Sequence, residues 1–451
     1  IYITFSIIII VMKIIVLLVI LTINIIPFIS VQSVSMEITD SSFDDNKICE
    51  NEEHIIDGVP CVDQVPYFCH YASLTMIFRY YGINTTQYEV LHNSGGGYSV
   101  ANRPKIIDRA FIAPPYKFKC WCSYEVCHGD DDLRFLATLY GLSYKCFRVK
   151  SSADYWDIAK QYLKKDVPIC TYIDLSVIPS YRKEFNIPNN IIGDLISLGH
   201  AIVLVGFNES NGTVCYNDPG AKFYLHTSGA YVFLDLKTFL KGVEKVYLAN
   251  NHFPIHNTIR IFEKIAEPLP KDVAYKLVHQ RNIERMKGNP YAYDPKLIQE
   301  NFYKTGVEAI KSLKIDFRSI NFLFNFIPKI PFYKSINLIA TLLKQTYVFP
   351  FTEIKHSFQY LFIEKHNISQ YLVENKYISP ICIHDAILLD KEAECWKNLT
   401  LLTEELNVIV KNNSCLMKIF ILSKPILDRM VDTIDRIIFL EKAIINDSEI
   451  N

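Results

Sequence analysis

Fourteen of the sixteen glycines in this 451-residue chain fall at or before Gly242, and only Gly288 and Gly306 come later. Tight turns between strands need backbone with positive φ, which glycine adopts at least cost, so the asymmetry marks where strands are joined. Runs rich in β-branched and aromatic residues occupy that part, at 144–149, 167–173, 201–207, 213–216, 231–234 and 245–249. Helical spacing appears there at 69–81, 132–140 and 153–163. Beyond Pro268 and Pro270 the texture changes. Apolar residues recur at helical spacing over 273–287, 295–314, 333–346, 352–365, 384–411 and 416–445. The pattern predicts an α+β domain over 34–258 and an all-α helical domain over 259–451, with no internal repeat. Half of the residues are hydrophobic and 21% are charged, which excludes disorder as the main state.

The amino end is different again. Residues 1–30 carry Lys13 as their only charge, and the first methionine is Met12. Counted from Met12, the chain offers a short positive segment, an apolar stretch over 14–28 and a small residue at Ser33, the layout of a signal peptide ending near residue 33. The uninterrupted apolar run also exceeds the roughly 20 residues a bilayer needs, so a retained membrane anchor is the alternative. Either reading makes the rest secreted or extracytoplasmic, with membrane contact only through this segment if it is not cleaved.

Two further features agree with export. Glycosylation acceptor triplets start at Asn84, Asn208, Asn211, Asn367, Asn398, Asn412 and Asn446. Cys49, Cys61, Cys120, Cys122, Cys127 and Cys146 crowd the first 150 residues, as disulfides in an oxidising compartment would. Lys plus Arg is 47 and Asp plus Glu is 48, so no basic excess points to nucleic acid.

The chemistry begins at residues 59–82, VPCVDQVPYFCHYASLTMIFRYYG. Ala72, Leu74, Met76, Ile77 and Tyr80 supply the buried face of an amphipathic helix, and Cys69 sits in its first turn. A thiol there meets unpaired backbone N–H groups and the positive end of the helix dipole, which favour the thiolate. Gln64, five residues earlier, is placed to donate an amide hydrogen bond to an oxyanion beside Cys69.

A second element completes the set. Residues 198–220 read LGHAIVLVGFNESNGTVCYNDPG: a strand opened by His200, a polar turn, and a second strand closed by Asn217 and Asp218. A hairpin of this kind brings His200 and Asp218 to one end. Cysteine, then histidine 131 residues later, then a carboxylate is the papain-type order. In such a set His deprotonates the thiol and later protonates the leaving group, while the carboxylate orients the imidazole. The bland readings are a strand-end histidine and an Asp-Pro-Gly turn; the three elements in this order favour Cys69, His200, Asp218 and Gln64 as a catalytic group.

These blocks resemble a known family. Gln64, Cys69, Ala72 and Tyr80-Tyr81-Gly82, with Gly199-His200-Ala201, Val205-Gly206-Phe207 and Asn217-Asp218-Pro219, are similar to the papain-like bacteriocin-processing, or double-glycine leader, peptidases. The resemblance covers roughly residues 55–250. It implies a papain-like cysteine-protease fold with Cys69 as nucleophile, His200 as base, Asp218 as orienter and Gln64 in the oxyanion hole. His70 stands where that family usually has glycine, and Gln64 lies five residues before the nucleophile where six is common. The helical tail, at 306–313 and 393–399, resembles the butirosin biosynthesis protein H family, which implies acyl transfer to an amine. Three functions stay open at this point: hydrolysis of a peptide or amide, which ranks first, amine acylation, and a non-catalytic binding module.

The remaining motifs carry less. Cys120, Cys122, Cys127 and His128 have short spacings of a kind that zinc uses, but no second pair completes a four-ligand set, and disulfides are expected there instead. Gly95, Gly96 and Gly97 are not a phosphate loop, because no Gly-Lys-Ser/Thr follows. No cofactor and no metal site is expected. With Cys69 reactive, an odd eleven cysteines remain, and Cys170 or Cys215 in an apolar strand is expected to stay unpaired. Asp130, Asp131 and Asp132 are expected to cap a helix and face solvent. The aromatic stretch 320–332 and Trp396 are expected in the core.

Overall fold

In chain order the glycine-rich part forms β1 (Glu53–Ile55), α1 (Cys69–Tyr80), α2 (Gln87–Ser94), β2 (Ala101–Asn102), β3 (Cys120–Trp121) and α3 (Asp130–Leu139). There follow β4 (Leu142–Arg148), α4 (Ser152–Leu163), β5 (Ile169–Asp174), α5 (Pro179–Glu184) and β6 (Gly199–Asn208). Then come β7 (Thr213–Asn217), α6 (Ala221–Tyr224), β8 (Val232–Asp235), α7 (Leu236–Lys245) and β9 (Thr258–Lys264). The rest is mostly helix: α8 (Lys271–Lys287), the short β10 (Lys304–Thr305), α9 (Gly306–Phe326), α10 (Ile336–Glu374), α11 (Ile381–Asn412) and α12 (Leu416–Ile450).

The structure, a computed structural model, describes residues 52–98, 101–102, 120–121, 130–189, 198–246, 257–289, 304–326, 336–379, 381–413 and 416–450. All of them lie within one compact unit, Cys49–Pro104 with Lys119–Asn451. The expected leader at 1–33 lies outside the described residues. Among the described residues no helix is long and apolar enough to cross a membrane.

Seven strands make one antiparallel sheet in the order β4-β9-β5-β6-β7-β8, and β1 also pairs with β6. The unbroken apolar run in β6 has a direct consequence: residues 200–207 are all buried, and β6 sits at the centre between β5 and β7. Helix α1 packs across β6. Local sequence sets several helix ends. Thr86 caps α2 by accepting from the Glu89 N–H, and Gly95 closes it at φ 86, a left-handed cap that suits glycine.

Three expectations need correction. Residue 245 is not in a strand: Lys245 ends α7, whose Phe239, Gly242 and Val243 are buried at helical spacing. The missing strand is β9, which lies between β4 and β5, so the sheet draws on both sides of residue 258. Its buried run over 258–262 is interrupted in the sequence by Arg260, which is 1% exposed because Tyr172 stacks beneath its guanidinium. Asp132 does not face solvent; it is buried, and Arg281 and Arg285 of α8 both donate to its Oδ1. The acidic start of α3 is therefore a seat for the first helix after the sheet.

The expected helices at 333–346 and 352–365 are one, α10, which continues through Pro350. Trp396 is fully buried, and its Nε1 donates to Glu392 at 3.0 Å. The side chains of 319–335 lie outside the described residues. Of the six cysteines expected in disulfides, Cys61 and Cys146 have described side chains, and neither is in a disulfide. They occupy separate neighbourhoods: Cys146 pairs in register with Arg260 on β9, whereas Cys61 lies near Asp63 and Asp218. Cys170 and Cys215 are free thiols, as expected. The possible zinc ligands at 120, 122, 127 and 128 have side chains outside the described residues, and no metal-binding cluster occurs among the described ones.

Candidate active site

Helix α1 begins at Cys69 itself. Phe68 precedes it as N-cap with no side-chain capping bond. Two residues before the cysteine, Tyr67 adopts φ 72, a left-handed conformation that costs a non-glycine residue about 1–3 kcal/mol and persists only where surroundings enforce it.

His200 is the second residue of β6, and Asp218 directly follows β7. The β6–β7 register, with Val203 opposite Asn217, carries both to the same end of the sheet. There His200 Nε2 lies 2.8 Å from Asp218 Oδ1. The Tyr181 hydroxyl donates to Asp218 Oδ2 at 2.7 Å, and the Gly220 N–H donates to Oδ1 at 2.8 Å. All four residues expected in the site are buried: Cys69 is 6% exposed, His200 3%, Asp218 2% and Gln64 7%.

Charge follows from these contacts. Burial penalises ionised Asp218, yet His200, Tyr181 and the Gly220 N–H together hold its carboxyl below the usual range. Burial also opposes a charged imidazole, but the Asp218 carboxylate and a hydrogen bond with Cys69 lift His200 to about 10. With Nε2 taken by Asp218, Nδ1 is the ring nitrogen left for the thiol.

Gln64 is tied into the same corner. Its backbone N–H donates to Pro219 O at 2.9 Å, and its side chain hydrogen-bonds Tyr224, whose hydroxyl also feels Cys69. His70, at the position where glycine was the norm, is turned into the protein and is 0% exposed. Its Nδ1 lies 2.8 Å from Tyr172 Oη, its ring stacks on Tyr172 at 5.8 Å, and Arg260 donates to the same hydroxyl. Tyr172 in turn packs with Cys69, Ala201 and Val246. The bulky residue after the cysteine thus belongs to the core behind it.

The cysteine, the histidine–carboxylate pair and the amide now share one corner of an antiparallel sheet. Residues 56–250 match the Peptidase_C39 like family. The C39-like segment holds Gln64, Cys69, His200 and Asp218 and has an α+β papain-like fold; the helical region lies outside the match. A C39-like peptidase from Bacillus anthracis, known from a crystal structure, is 16% identical over 48% of this chain and 100% of its own, with a TM-score of 0.28. No curated protein matches the chain.

Sequence reasoning missed Tyr181, Tyr224 and Gly220. Gly220 was visible in the Asn-Asp-Pro-Gly turn, but its reason is spatial: a Cβ there would come within 2.8 Å of His200 Cε1. Tyr181 stands 37 residues from Asp218 on a six-residue helix, and nothing local distinguishes it from any buried tyrosine.

Proposed function

We propose that the C39-like segment is a cysteine-dependent acyl-transfer enzyme that hydrolyses a peptide or other amide bond. Cys69 is the nucleophile, His200 the acid and base, Asp218 the group that orients the imidazole, and Gln64 the oxyanion donor. The observation that carries this reading is one imidazole bonded at Nε2 to a buried carboxylate and hydrogen-bonded to the Cys69 thiol. A merely structural histidine needs no thiol at a helix start.

The steps follow from the atoms. The Sγ proton passes to His200 Nδ1, and the thiolate adds to the substrate carbonyl carbon. The resulting oxyanion takes hydrogen bonds from the Cys69 backbone N–H and the Gln64 amide. Collapse breaks the C–N bond as the imidazolium gives its proton to the leaving nitrogen. A water deprotonated by His200 then adds to the acyl thioester, and free acid and thiol are released. Asp218 stays ionised throughout and stabilises the imidazolium. The resemblance to leader peptidases favours a peptide substrate.

The test is the alkylation rate of Cys69 against pH, in the intact chain and in His200→Ala. Fast labelling near neutral pH that slows without His200 is expected. Labelling like an ordinary thiol, with pKa near ~8.5, would leave a binding module instead. Release of free acid from a peptide without an added amine separates hydrolysis from amine acylation.

A further inference from the structure

The three-glycine loop, Gly95 to Gly97, plays no part in the reaction above, yet it is where the helical region meets the end of α2. The Gly97 N–H donates to Glu364 Oε2 on α10 at 3.2 Å. A Cβ on Gly97, at φ +72, would come within 2.6 Å of Ile368 Cδ1, one turn further along α10. A Cβ on Gly95 would collide with the Arg285 guanidinium of α8. The loop lacks side chains because two helices lie against its backbone.

The same face of α10 reaches the chain on both sides of Cys69. Tyr360, one turn before Glu364, packs its ring against Tyr67 with centroids 4.5 Å apart. Tyr67 is the residue held at φ 72, two positions before the nucleophile. Tyr71, two positions after it, lies close enough to the buried Glu364 carboxyl group to act on its charge. The neighbouring residue of α10 fixes the helix from behind: Lys365 is buried and paired with Glu392 of α11 at 2.9 Å and Glu441 of α12 at 3.0 Å. Rotation of α10 is therefore set by the bundle, and with it the direction of Tyr360 and Glu364.

We propose that Tyr360 and Glu364 are positioning residues for Cys69, so that the helical region holds the turn presenting the nucleophile and the C39-like segment is incomplete as a catalyst without it. The inference rests on the reading of Cys69 as nucleophile. Tyr360 braces the left-handed turn entering α1, and Glu364 ties the first turn of α1 to the glycine loop.

The experiment uses the full chain with iodoacetamide, mapping label at Cys69 by mass spectrometry, and kcat and KM on a cleaved peptide. Glu364→Ala and Tyr360→Ala are expected to slow labelling and lower kcat by about tenfold or more with KM little changed, the size of effect that small misplacements produce. Glu364→Gln keeps an acceptor oxygen for Gly97 and is expected to stay within about twofold of the parent chain. Gly97→Ala, which pushes α10 away without touching the cleft, gives an independent route to the same loss should Glu364→Ala fail to fold. Parent-like rates in Tyr360→Ala and Gly97→Ala, or a Glu364→Gln chain as slow as a folded Glu364→Ala chain, would overturn the inference. A parent chain whose Cys69 labels slowly and without regard to His200 would instead overturn the nucleophile reading, and this inference with it.

Discussion

Asp218 and Glu392 are both buried carboxyl groups, 2% and 0% exposed, and their surroundings push their pKa values in opposite directions. Each Asp218 oxygen meets a donor: Oδ1 takes His200 Nε2 and the Gly220 N–H, and Oδ2 takes the Tyr181 hydroxyl. That set outweighs desolvation and keeps Asp218 ionised. Glu392 shares the single cation Lys365 with Glu441, so burial and the second carboxylate push its pKa well above the carboxylate range. A buried carboxylate stays charged only where donors surround it; otherwise a proton is the cheaper partner. One cluster keeps a charge that an imidazolium can use, and the other uses charge to lock helices together.

The sharpest way to break that contrast is His200→Ala. Loss of the acid–base is expected to lower peptide hydrolysis by about 10²–10⁴-fold, and the urea midpoint to fall as well because the buried Asp218 carboxylate loses a partner. An unchanged rate would mean that the Asp218 cluster is only structural, like the one around Lys365. Lys365→Met acts on the other side. Two buried carboxyls lose their cation, and the unfolding free energy measured in urea is expected to fall by about 3–5 kcal/mol. Adding Glu392→Gln and Glu441→Gln removes the orphaned carboxyl groups and should recover much of that loss.

Smaller effects sharpen the comparison. Tyr181→Phe deletes the only donor to Asp218 Oδ2 among the described residues and is expected to cost about 1.5–3 kcal/mol, with the acid limb of the stability profile moving to higher pH. The subtlest signal is the sign of the pH dependence. Asp218, lowered from 3.8, contributes stability that is present above that value and lost as pH falls through its folded pKa. His200, raised from 6.5, contributes stability fully present below 6.5 and lost as pH rises through about 10. Glu392, raised from 4.5, also loses its contribution as pH rises. Unfolding free energies against pH should therefore show Asp218→Asn flattening both limbs, because it also removes the carboxylate that raises His200, and Glu392→Gln flattening only the alkaline side. The reverse pattern would exchange the two charge assignments.

What could be read from the chain follows a physical divide. The start of α1 at Cys69 and the nearness of His200 to Asp218 were legible because a helix period and a hairpin act over a few residues. β9 was not, because its buried run includes Arg260, a charge that the Tyr172 ring and the surrounding tyrosines and cysteines make tolerable in the core. Asp132 looked like a solvated cap because its partners, Arg281 and Arg285, are about 150 residues away. The gap between the helices expected at 333–346 and 352–365 holds Pro350, whose ring removes one backbone bond, yet α10 runs through it.

The amino-acid sequence by itself determined the local frame: the hairpin that pairs a histidine with a carboxylate, the helix that starts at a thiol, and the change from sheet to bundle. Only the tertiary structure decided which carboxyls stay charged, why His70 lies behind the thiol, and that Tyr360 and Glu364 close on the turn around Cys69. Periodicity and turn chemistry are written within a few residues. Desolvation and donor geometry depend on side chains that meet only once the whole chain has folded.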